Sequence, residues 1–267
     1  MSTNILAKIV AQKFVEVAER KKQISIGELE AMPLFTTPGH SLKSNLVDPN
    51  KTGIIAEFKR QSPSKGIINN TALVHEVTKA YSDFGASGIS VLTDTHFFGG
   101  SLDDLTIAVK NTTPVLRKEF IIDEFQIIEA KAYGASVILL IASCLTPAET
   151  KLLAATAKQL GIEVLLEIHD ETEMEHICDE VDFVGVNNRS LKSFEVNIEH
   201  SLQLRSRLPK NKLSIAESGI YDLATFQLLK KEGFDGFLMG EYFMKQADPA
   251  KAFELFASQI KSSGHAI

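Results

Sequence analysis

The sequence predicts a (β/α)8 TIM barrel, an α/β fold, preceded by a helical extension. Three observations support this prediction: eight short apolar runs, helical periodicity between them, and a spacing of about 27 residues per strand–helix unit. The chain has 267 residues, a length that suits one or two average domains or a single α/β barrel. The regular alternation of strands and helices from residue 53 onward favours the single barrel.

Each candidate strand is a short run rich in apolar residues. The eight runs lie at residues 54–58, 89–92, 115–117, 137–141, 164–167, 183–186, 213–216 and 236–239. The run at 137–141 (VILLI) is continuously apolar, as in a parallel strand that is buried on both faces. A doubly wound open sheet is the structural alternative, and its dinucleotide-binding version needs a G-x-G-x-x-G turn after the first strand. Here that turn reads KRQSPSKG (residues 59–66), so the barrel is favoured.

Capping signals mark the helices between the strands. Thr146, Pro147 and Glu149 occupy the N-cap, first and third positions of one predicted helix, and Asp123 and Asp170 begin similar segments. Several predicted helices end near a glycine, which can adopt the left-handed conformation that turns the chain back into a strand. These glycines are Gly85, Gly134, Gly161 and Gly233.

Residues 1–48 show no strand pattern and predict a helical extension that packs on the barrel. Ile5, Ile9, Phe14 and Val17 recur at helical spacing, and a second short helix is predicted at residues 25–31, before a loop at 36–40. Residues 49–267 then form the barrel as a single catalytic domain. We expect the extension to lie near the mouth of the barrel.

Composition and charge narrow the class of function. The net charge of −6 provides no general attraction for nucleic acid, so any anion site must be built locally. The longest apolar run, residues 137–142, is far too short to cross a membrane, and residues 1–14 lack the apolar stretch of a signal peptide. We therefore expect a cytoplasmic protein whose partner is a small molecule, with no nucleic acid and no membrane.

No pattern in the sequence predicts a metal site or a disulfide framework. Cys144 and Cys178 are too few for a disulfide scaffold or a zinc cluster, and they suit a reducing compartment. The histidines form no H-E-x-x-H motif, and the spacing of His169 and His176 is not that of a metal-ligand pair. We expect no metal.

Reactive polar residues end most of the candidate strands. In a barrel the carboxyl ends of all strands meet at one rim, where active sites lie. A single Lys or Glu there usually forms a solvated ion pair that contributes little. The whole set on one rim instead predicts a site that holds an anionic substrate and moves protons. The set comprises Glu57, Lys59, Lys118, Glu167, Asn187, Arg189 and Glu217.

The turns after strands 7 and 8 predict the position of a phosphate group. Ser218-Gly219 and Gly240-Glu241 would offer backbone N–H groups beside small side chains, where barrels of this type commonly hold phosphate. The alternative is that both glycines only permit tight turns. After strand 2, Phe98 could pack within its own loop or cover an aromatic substrate at the mouth.

Five segments resemble indole-3-glycerol-phosphate synthase of tryptophan biosynthesis. They are IIAEFKRQSPSKG (54–66), SVLTDTHFFGGS (90–101), PVLRKEFIIDEFQI (114–127), GVNNRSL (185–191) and AESGI (216–220). The resemblance covers nearly the whole chain, including the helical extension. It implies a (β/α)8 barrel that converts 1-(2-carboxyphenylamino)-1-deoxyribulose 5-phosphate to indole-3-glycerol phosphate, releasing carbon dioxide and water without a cofactor.

The resemblance also implies residue roles. Lys118 matches the acid that protonates the alkoxide formed during ring closure. The residues that match the later acid–base steps, with the individual roles left open, are Glu167, Lys59 and Glu57. Those that match substrate-binding positions are Asn187, Arg189, Glu217 and Phe98. Those that match the phosphate end are Ser62, Ser218, Gly219, Gly240 and Glu241, the last through its backbone N–H.

Departures from the family pattern leave every catalytic side chain in place. Glu119 stands where Asp is more common, Phe58 where an aliphatic residue is usual, and Gly99 where Gln or Asn is frequent. One alternative is phosphoribosylanthranilate isomerase, which would need a Cys at the end of strand 1. Another is a non-catalytic sugar-phosphate sensor, which would need neither Lys118 nor Glu167. We expect a monomer or a weak homodimer.

Overall fold

The computed structural model describes residues 5–189 and 195–264, which contain a closed barrel of eight parallel strands. Residues 190 and 191, the end of one family-like motif, lie outside the described residues. Each strand pairs with its neighbours along the chain, and the last strand closes the barrel on the first. The predicted (β/α)8 fold is thereby confirmed. Strands β1 to β8 are Ile54–Phe58, Gly88–Leu92, Val115–Lys118, Val137–Ile141, Glu163–Ile168, Phe183–Asn187, Leu213–Glu217 and Gly236–Met239.

Helices cover the outside of the barrel and form the extension. The extension contains α1 (Ile5–Gln23), α2 (Ile26–Glu30) and α3 (Leu42–Val47). The barrel helices are α4 (Val74–Asp83), α5 (Leu102–Ala108), α6 (Glu124–Ala132), α7 (Pro147–Gln159), α8 (Ile198–Arg205), α9 (Leu223–Lys231), α10 (Glu241–Met244) and α11 (Pro249–Gly264). Between β1 and α4, Gln61–Ser62 and Gly66–Ile67 form a small hairpin.

The predicted helix boundaries hold at most positions. The Thr146 side chain accepts from the Glu149 N–H and completes a capping box at α7, and Asp123 does the same at α6. Asp170 also caps its segment, but the residues that follow form a 3₁₀-helix (Glu171–His176), and the α-helix expected there is absent. The four predicted helix-ending glycines all have positive φ, at Gly85, Gly134, Gly161 and Gly233.

Alternate residues of each strand face the barrel interior or the surrounding helices. Ile54, Ala56 and Phe58 face outward and join the large apolar cluster beneath the helices. The inward-facing apolar residues form a separate interior cluster, which includes Ile55, Leu116, Leu139, Leu165, Ile215 and Leu238. Residues two positions after these therefore face the same interior, closer to the carboxyl rim.

Four strands continue one residue beyond their predicted carboxyl ends. In three of them the added residue is polar and faces inward: Lys118 in β3, Asn187 in β6 and Glu217 in β7. The apolar pattern stops before these residues, whereas the strand pairing does not, as Asn187 beside Glu217 shows. The polar residues of the rim thus belong to rigid strands.

Helix α3, which the sequence pattern did not predict, closes the opposite end of the barrel. Leu42 is only 1% exposed and packs in the interior cluster, with Leu46 beside it. Gly88 and Gly236 make this approach possible, since a Cβ on Gly88 would lie 2.8 Å from Leu42 Cδ1. The Glu163 carboxylate accepts from the Leu42 N–H at 2.7 Å and fixes the start of the helix. The extension therefore reaches both ends of the barrel.

Leu42→Ala should destabilise the protein by about 2–5 kcal/mol, because it leaves a cavity at the closed end of the barrel. The free energy of unfolding from urea denaturation measures the loss. Leu152→Ala is the matched control, since Leu152 on α7 is 57% exposed and should change stability by less than about 0.5 kcal/mol. Equal effects of the two variants would contradict a packing role for α3.

Candidate active site

The carboxyl ends of the strands surround a cleft of about 1220 Å³ that includes space open to solvent. Its floor contains the apolar side chains of Leu139, Ile141 and Leu238. Every site residue predicted from the sequence lines this cleft: Glu57, Lys59, Ser62, Phe98, Lys118, Glu167, Asn187, Arg189, Glu217, Ser218, Gly219, Gly240 and Glu241. The fold thus brings together residues from both halves of the chain.

The four odd-numbered strands each contribute one ionisable residue to a single layer. Glu57 of β1, Lys118 of β3, Glu167 of β5 and Glu217 of β7 each follow an inward-facing apolar residue by two positions. Side chains from alternate strands of such a barrel fill its interior in layers of four. We call these four residues the charged layer. They stand on the apolar layer of Ile55, Leu116, Leu165 and Ile215.

The Lys118 ammonium lies between two carboxylates of the charged layer. Its Nζ is 2.8 Å from Oε2 of Glu217 and 3.5 Å from Oε2 of Glu167. Burial disfavours the charged amine, but Glu217, Glu167 and Glu57 outweigh burial, so the pKa of Lys118 is raised. Lys118 therefore keeps its proton at neutral pH and can give it up only to a strongly basic atom.

The two carboxylates beside Lys118 have pKa values that move in opposite directions. Burial and the neighbouring Glu167 raise the pKa of Glu217 to about 7, against the lowering effect of Lys118. Burial also acts to raise the pKa of Glu167, but Lys118 and His169 outweigh it and lower the value. Near neutral pH, Glu167 is therefore ionised while Glu217 carries a proton part of the time.

Glu57 and Lys59 form a second ion pair at the end of β1. Lys59 Nζ donates to Glu57 Oε1 at 2.7 Å, and Ser90 Oγ lies 3.3 Å from Oε2. Burial acts to raise the pKa of Glu57, but the opposing effect of Lys59 and Lys118 is larger. The pKa is therefore lowered, and this carboxylate is ionised. The Lys59 side chain is 18% exposed and reaches the open part of the cleft.

Asn187 and Arg189 connect the charged layer to the opposite wall. Asn187 Nδ2 donates to Glu167 Oε1 at 3.1 Å, and its Oδ1 accepts from the Arg189 N–H at 3.0 Å. Arg189 Nη2 donates to Tyr221 Oη at 3.0 Å and to Glu241 Oε2 at 3.1 Å. These contacts hold a guanidinium group at the cleft surface.

The turn after β7 contains two consecutive residues with positive φ. Ser218 (φ +65°) and Gly219 (φ +75°) both adopt the left-handed region, and Asn188 Nδ2 donates to the Ser218 carbonyl at 2.7 Å. A Cβ at Gly219 would lie 2.3 Å from Val196 Cγ1, so only glycine fits. Backbone N–H groups in such turns form concavities that bind anions.

Two further parts of the chain carry the other residues that the sequence assigns to a phosphate end. Gly240 directly precedes α10, whose first residue is Glu241. The Glu241 carboxylate is paired with Arg189, and Lys65 lies 3.8 Å away from it. Ser62 approaches from the hairpin after β1, with its Oγ 3.4 Å from that of Ser64.

Aromatic and apolar side chains form the rest of the cleft wall. The rings of Phe98 and Phe120 lie 5.9 Å apart at its edge. Helix α1 adds Ile5, Leu6 and Ile9. Phe120 and these α1 residues are absent from the set of site residues predicted from the sequence. The helical spacing of Ile5 and Ile9 was the signal that could have identified them.

A buried ion cluster fixes α1 beside the cleft. Lys13 is 4% exposed and its Nζ contacts three carboxylates, those of Glu16 (2.6 Å), Asp94 (2.9 Å) and Glu119 (3.0 Å). Asp94 also accepts from the Phe98 N–H, and Glu119 directly follows Lys118. One cation of the extension thus links the loops after β2 and β3. We call this group the Lys13 cluster.

Across residues 5–189 and 195–264, no group of three or more His, Cys, Asp or Glu side chains is arranged to hold a metal ion. Cys144 and Cys178 are free and half-buried. None of the helices in this part of the chain has the length and apolar content that crossing a bilayer requires.

Comparison with known sequences identifies related proteins. A family model described as indole-3-glycerol phosphate synthase matches residues 6–256. The indole-3-glycerol phosphate synthase of Bacteroides thetaiotaomicron is 42% identical over 259 residues, covering 97% of this chain and 99% of the relative. That of Polynucleobacter asymbioticus is 40% identical over 268 residues, covering 96% and 100%.

Comparison with solved structures confirms the fold. A mandelate oxidase variant has a TM-score of 0.62 at 13% identity, covering 80% of this chain and 74% of its own. The tryptophan synthase alpha subunit of Legionella pneumophila has the same TM-score and identity, covering 85% and 98%. At this low identity the two likenesses concern the barrel alone.

Glu217→Gln should change how stability depends on pH. The pKa of Glu217 is about 7 in the folded protein, whereas that of an unfolded Glu is near 4.5. Between these two pH values the folded protein therefore holds a proton that the unfolded chain has released. The resulting stabilisation is complete below about pH 4.5 and is lost as the pH rises through about 7. Between about pH 5 and 8, the unsubstituted protein should lose up to about 3 kcal/mol of unfolding free energy relative to the variant.

Urea denaturation across this pH range measures the difference. Glu175→Gln, at an exposed position of the 3₁₀-helix, is the matched control and should follow the unsubstituted protein at every pH. Parallel curves for Glu217→Gln and the unsubstituted protein would show that Glu217 titrates normally in the fold.

Proposed function

Since the chain belongs to the indole-3-glycerol phosphate synthase family, we propose that its cleft carries out the ring closure of that reaction with Lys118 as the acid. The protein is a carboxy-lyase of tryptophan biosynthesis. Its substrate is 1-(2-carboxyphenylamino)-1-deoxyribulose 5-phosphate, which loses carbon dioxide and water. The observation that carries the proposal is the Lys118 ammonium, held by Glu217 and Glu167 above an apolar floor.

Ring closure requires a proton at one defined oxygen. The arene carbon that bears the carboxylate attacks the sugar ketone, and negative charge develops on the ketone oxygen. Lys118 protonates this oxygen, because the surrounding carboxylates keep it charged until such a base forms. Glu217, 2.8 Å away and with a pKa of about 7, returns a proton to Lys118 between turnovers.

The later steps require an acid and a base. Loss of carbon dioxide restores the aromatic ring, and dehydration then removes a hydroxyl group and a neighbouring proton. We assign the base to Glu167, because its lowered pKa keeps it ionised. We assign the acid to Lys59, which is the more exposed of the two cleft lysines and pairs with Glu57 at 2.7 Å.

The two ends of the substrate need different surroundings. Backbone N–H groups of Ser218-Gly219 and Gly240-Glu241, together with Ser62, suit the phosphate. Glu241 contributes through its backbone, because its carboxylate is already paired with Arg189. The anthranilate part is bound through a hydrogen bond, a cation or an aromatic face. The residues that supply these contacts are Asn187, Arg189, Phe98 and also Lys59.

We extend the proposal to the helical extension, the oligomeric state and the location of the enzyme. Residues 1–48 act as a helical attachment to a single catalytic domain formed by residues 49–267. The protein works as a monomer or a weak homodimer, which is consistent with a cleft lined by residues of one chain. A cytoplasmic location agrees with the two free cysteines.

Purified protein incubated with the carboxyphenylamino-deoxyribulose phosphate should produce indole fluorescence without added metal ion or nucleotide. Lys118→Ala should lower turnover by about 10²–10⁴-fold, the usual contribution of a general acid. Steady-state kinetics of the unsubstituted protein and of Lys118→Ala measure the effect, with circular dichroism as the check on folding.

Lys151→Ala on the exposed face of α7 is the control and should keep normal turnover. A folded, unsubstituted protein that gave no indole would refute the proposed reaction. Near-normal turnover of Lys118→Ala would instead refute the assignment of the acid.

Lys13→Met should weaken substrate binding and reduce stability. It removes one cation from the buried carboxylates of Asp94 and Glu119, and breaking a buried ion pair typically costs about 3–5 kcal/mol. Because these residues lie beside Phe98 and Lys118, KM should rise more than kcat falls. Lys8→Met, at an exposed position of the same helix, is the matched control. An unchanged KM would show that the extension covers the barrel without shaping the cleft.

A further inference from the structure

His169 lies directly behind Glu167 and is not among the described residues that line the cleft. It follows the last residue of β5 and is 11% exposed. Its Nε2 is 3.4 Å from Glu167 Oε1, and its Nδ1 is 3.6 Å from Glu173 Oε2. The imidazole therefore stands between two carboxylates, one in the cleft and one outside it.

Contacts of both the backbone and the ring fix the position of His169. The His169 N–H donates to Glu173 Oε2 at 2.6 Å, and His200 Nε2 lies 2.9 Å from the His169 carbonyl oxygen. Ser143 Oγ donates to Glu173 Oε1 and lies 3.4 Å from His169 Nδ1. The Nε2 atom is fully buried, and Glu167 is the carboxylate within ion-pair distance of it. The Nδ1 atom of the ring therefore lies beside Glu173, and the Nε2 atom lies beside Glu167.

The charges around His169 favour the imidazolium form. Burial lowers the pKa of His169, but Glu173, Glu167 and Glu217 outweigh burial and raise it. Burial raises the pKa of the nearby Cys144 thiol to about 12, so this group stays neutral. Other charged groups near the ring are Asp170, which the His169 charge helps to keep ionised, and Lys118 on the far side of Glu167.

The two oxygens of Glu167 have different partners. Oε2 lies 3.5 Å from Lys118, whereas Oε1 has His169 at 3.4 Å and Asn187 at 3.1 Å. When Lys118 gives its proton to the substrate, it stops being a cation, and Glu167 loses that counter-charge. A second cation at Oε1 keeps the carboxylate ionised through this step.

We propose that His169 is a positioning residue of this reaction, whose imidazolium, anchored by Glu173 and Ser143, keeps the Glu167 carboxylate ionised and oriented toward the substrate. The inference rests on the proposed role of Glu167 as base. His169 does not contact the substrate and acts through Glu167. A purely structural histidine would affect folding but would leave the titration of the cleft unchanged.

The test is the pH dependence of kcat/KM for His169→Asn, which removes the charge but keeps a small polar side chain. We expect the acidic limb of the profile to move upward by about one pH unit, as expected when a nearby opposite charge is lost. The loss of kcat/KM should approach about tenfold at acidic pH, below the pKa values of Glu167 in both proteins, and should be small at neutral pH and above. Glu173→Gln, which removes the anchor, should shift the limb in the same direction by a smaller amount.

His75→Asn is the matched control, because His75 on α4 is 64% exposed and is not among the residues that line the cleft. Its profile should coincide with that of the unsubstituted protein. An acidic limb of His169→Asn that also coincided with the unsubstituted one would overturn the inference while leaving the proposed reaction intact.

A second measurement does not depend on turnover. Imidazole NMR of the unsubstituted protein without substrate should show His169 titrating above the usual histidine range, and Glu167→Gln should move that titration downward. An unshifted His169 titration, or one unaffected by Glu167→Gln, would refute the pairing even if the protein made no indole. Absence of indole from a protein with the expected NMR titration would refute the proposed function alone.

Discussion

The site depends on one buried ammonium group, Lys118, that is shared by carboxylates of the charged layer. A lysine at this depth would lose its proton without partners, and the carboxylates without the lysine would repel one another. Lys118, Glu167 and Glu217 form a group in which the attraction between opposite charges offsets the cost of burying them. The consequence is unequal acidity: Glu167 is pushed toward ionisation and Glu217 toward protonation. An acid and a base thus coexist within one cleft at neutral pH.

The barrel makes this group possible by geometry. Odd-numbered strands present the charged layer, and the even-numbered strands next to them have glycines, in the strand or directly after it, where a side chain would intrude. A Cβ at Gly185 would lie 2.1 Å from Glu217 Oε1, and one at Gly240 would lie 2.8 Å from Glu57 Oε1. At the other end, Gly88 makes the same kind of room for Leu42. Small residues in one set of strands therefore allow large residues in the other, at both ends of the barrel.

Sequence reasoning succeeded where a short-range pattern controls the structure. Short apolar runs located all eight strands, and the capping box at Thr146 placed a helix start. It failed where the outcome depends on distant contacts. The helix that begins at Leu42 has little amphipathic pattern of its own and is stabilised by Glu163 from another part of the chain. The Lys13 cluster is likewise invisible in sequence, because two of its three carboxylates, those of Asp94 and Glu119, lie 81 and 106 residues away from Lys13 along the chain.

The pairing of charges inside the cleft explains why an acidic protein can hold an anionic substrate. Each inward carboxylate of the cleft has its own cation: Glu57 with Lys59, Glu217 with Lys118, and Glu167 with His169. With all six groups charged, this set is neutral and offers a dianionic phosphate ester little attraction. Protonation of Glu217, whose pKa is about 7, makes the set positive by one charge. A substrate that carries negative charge favours that state, so binding and the loading of the proton that Lys118 later needs reinforce each other.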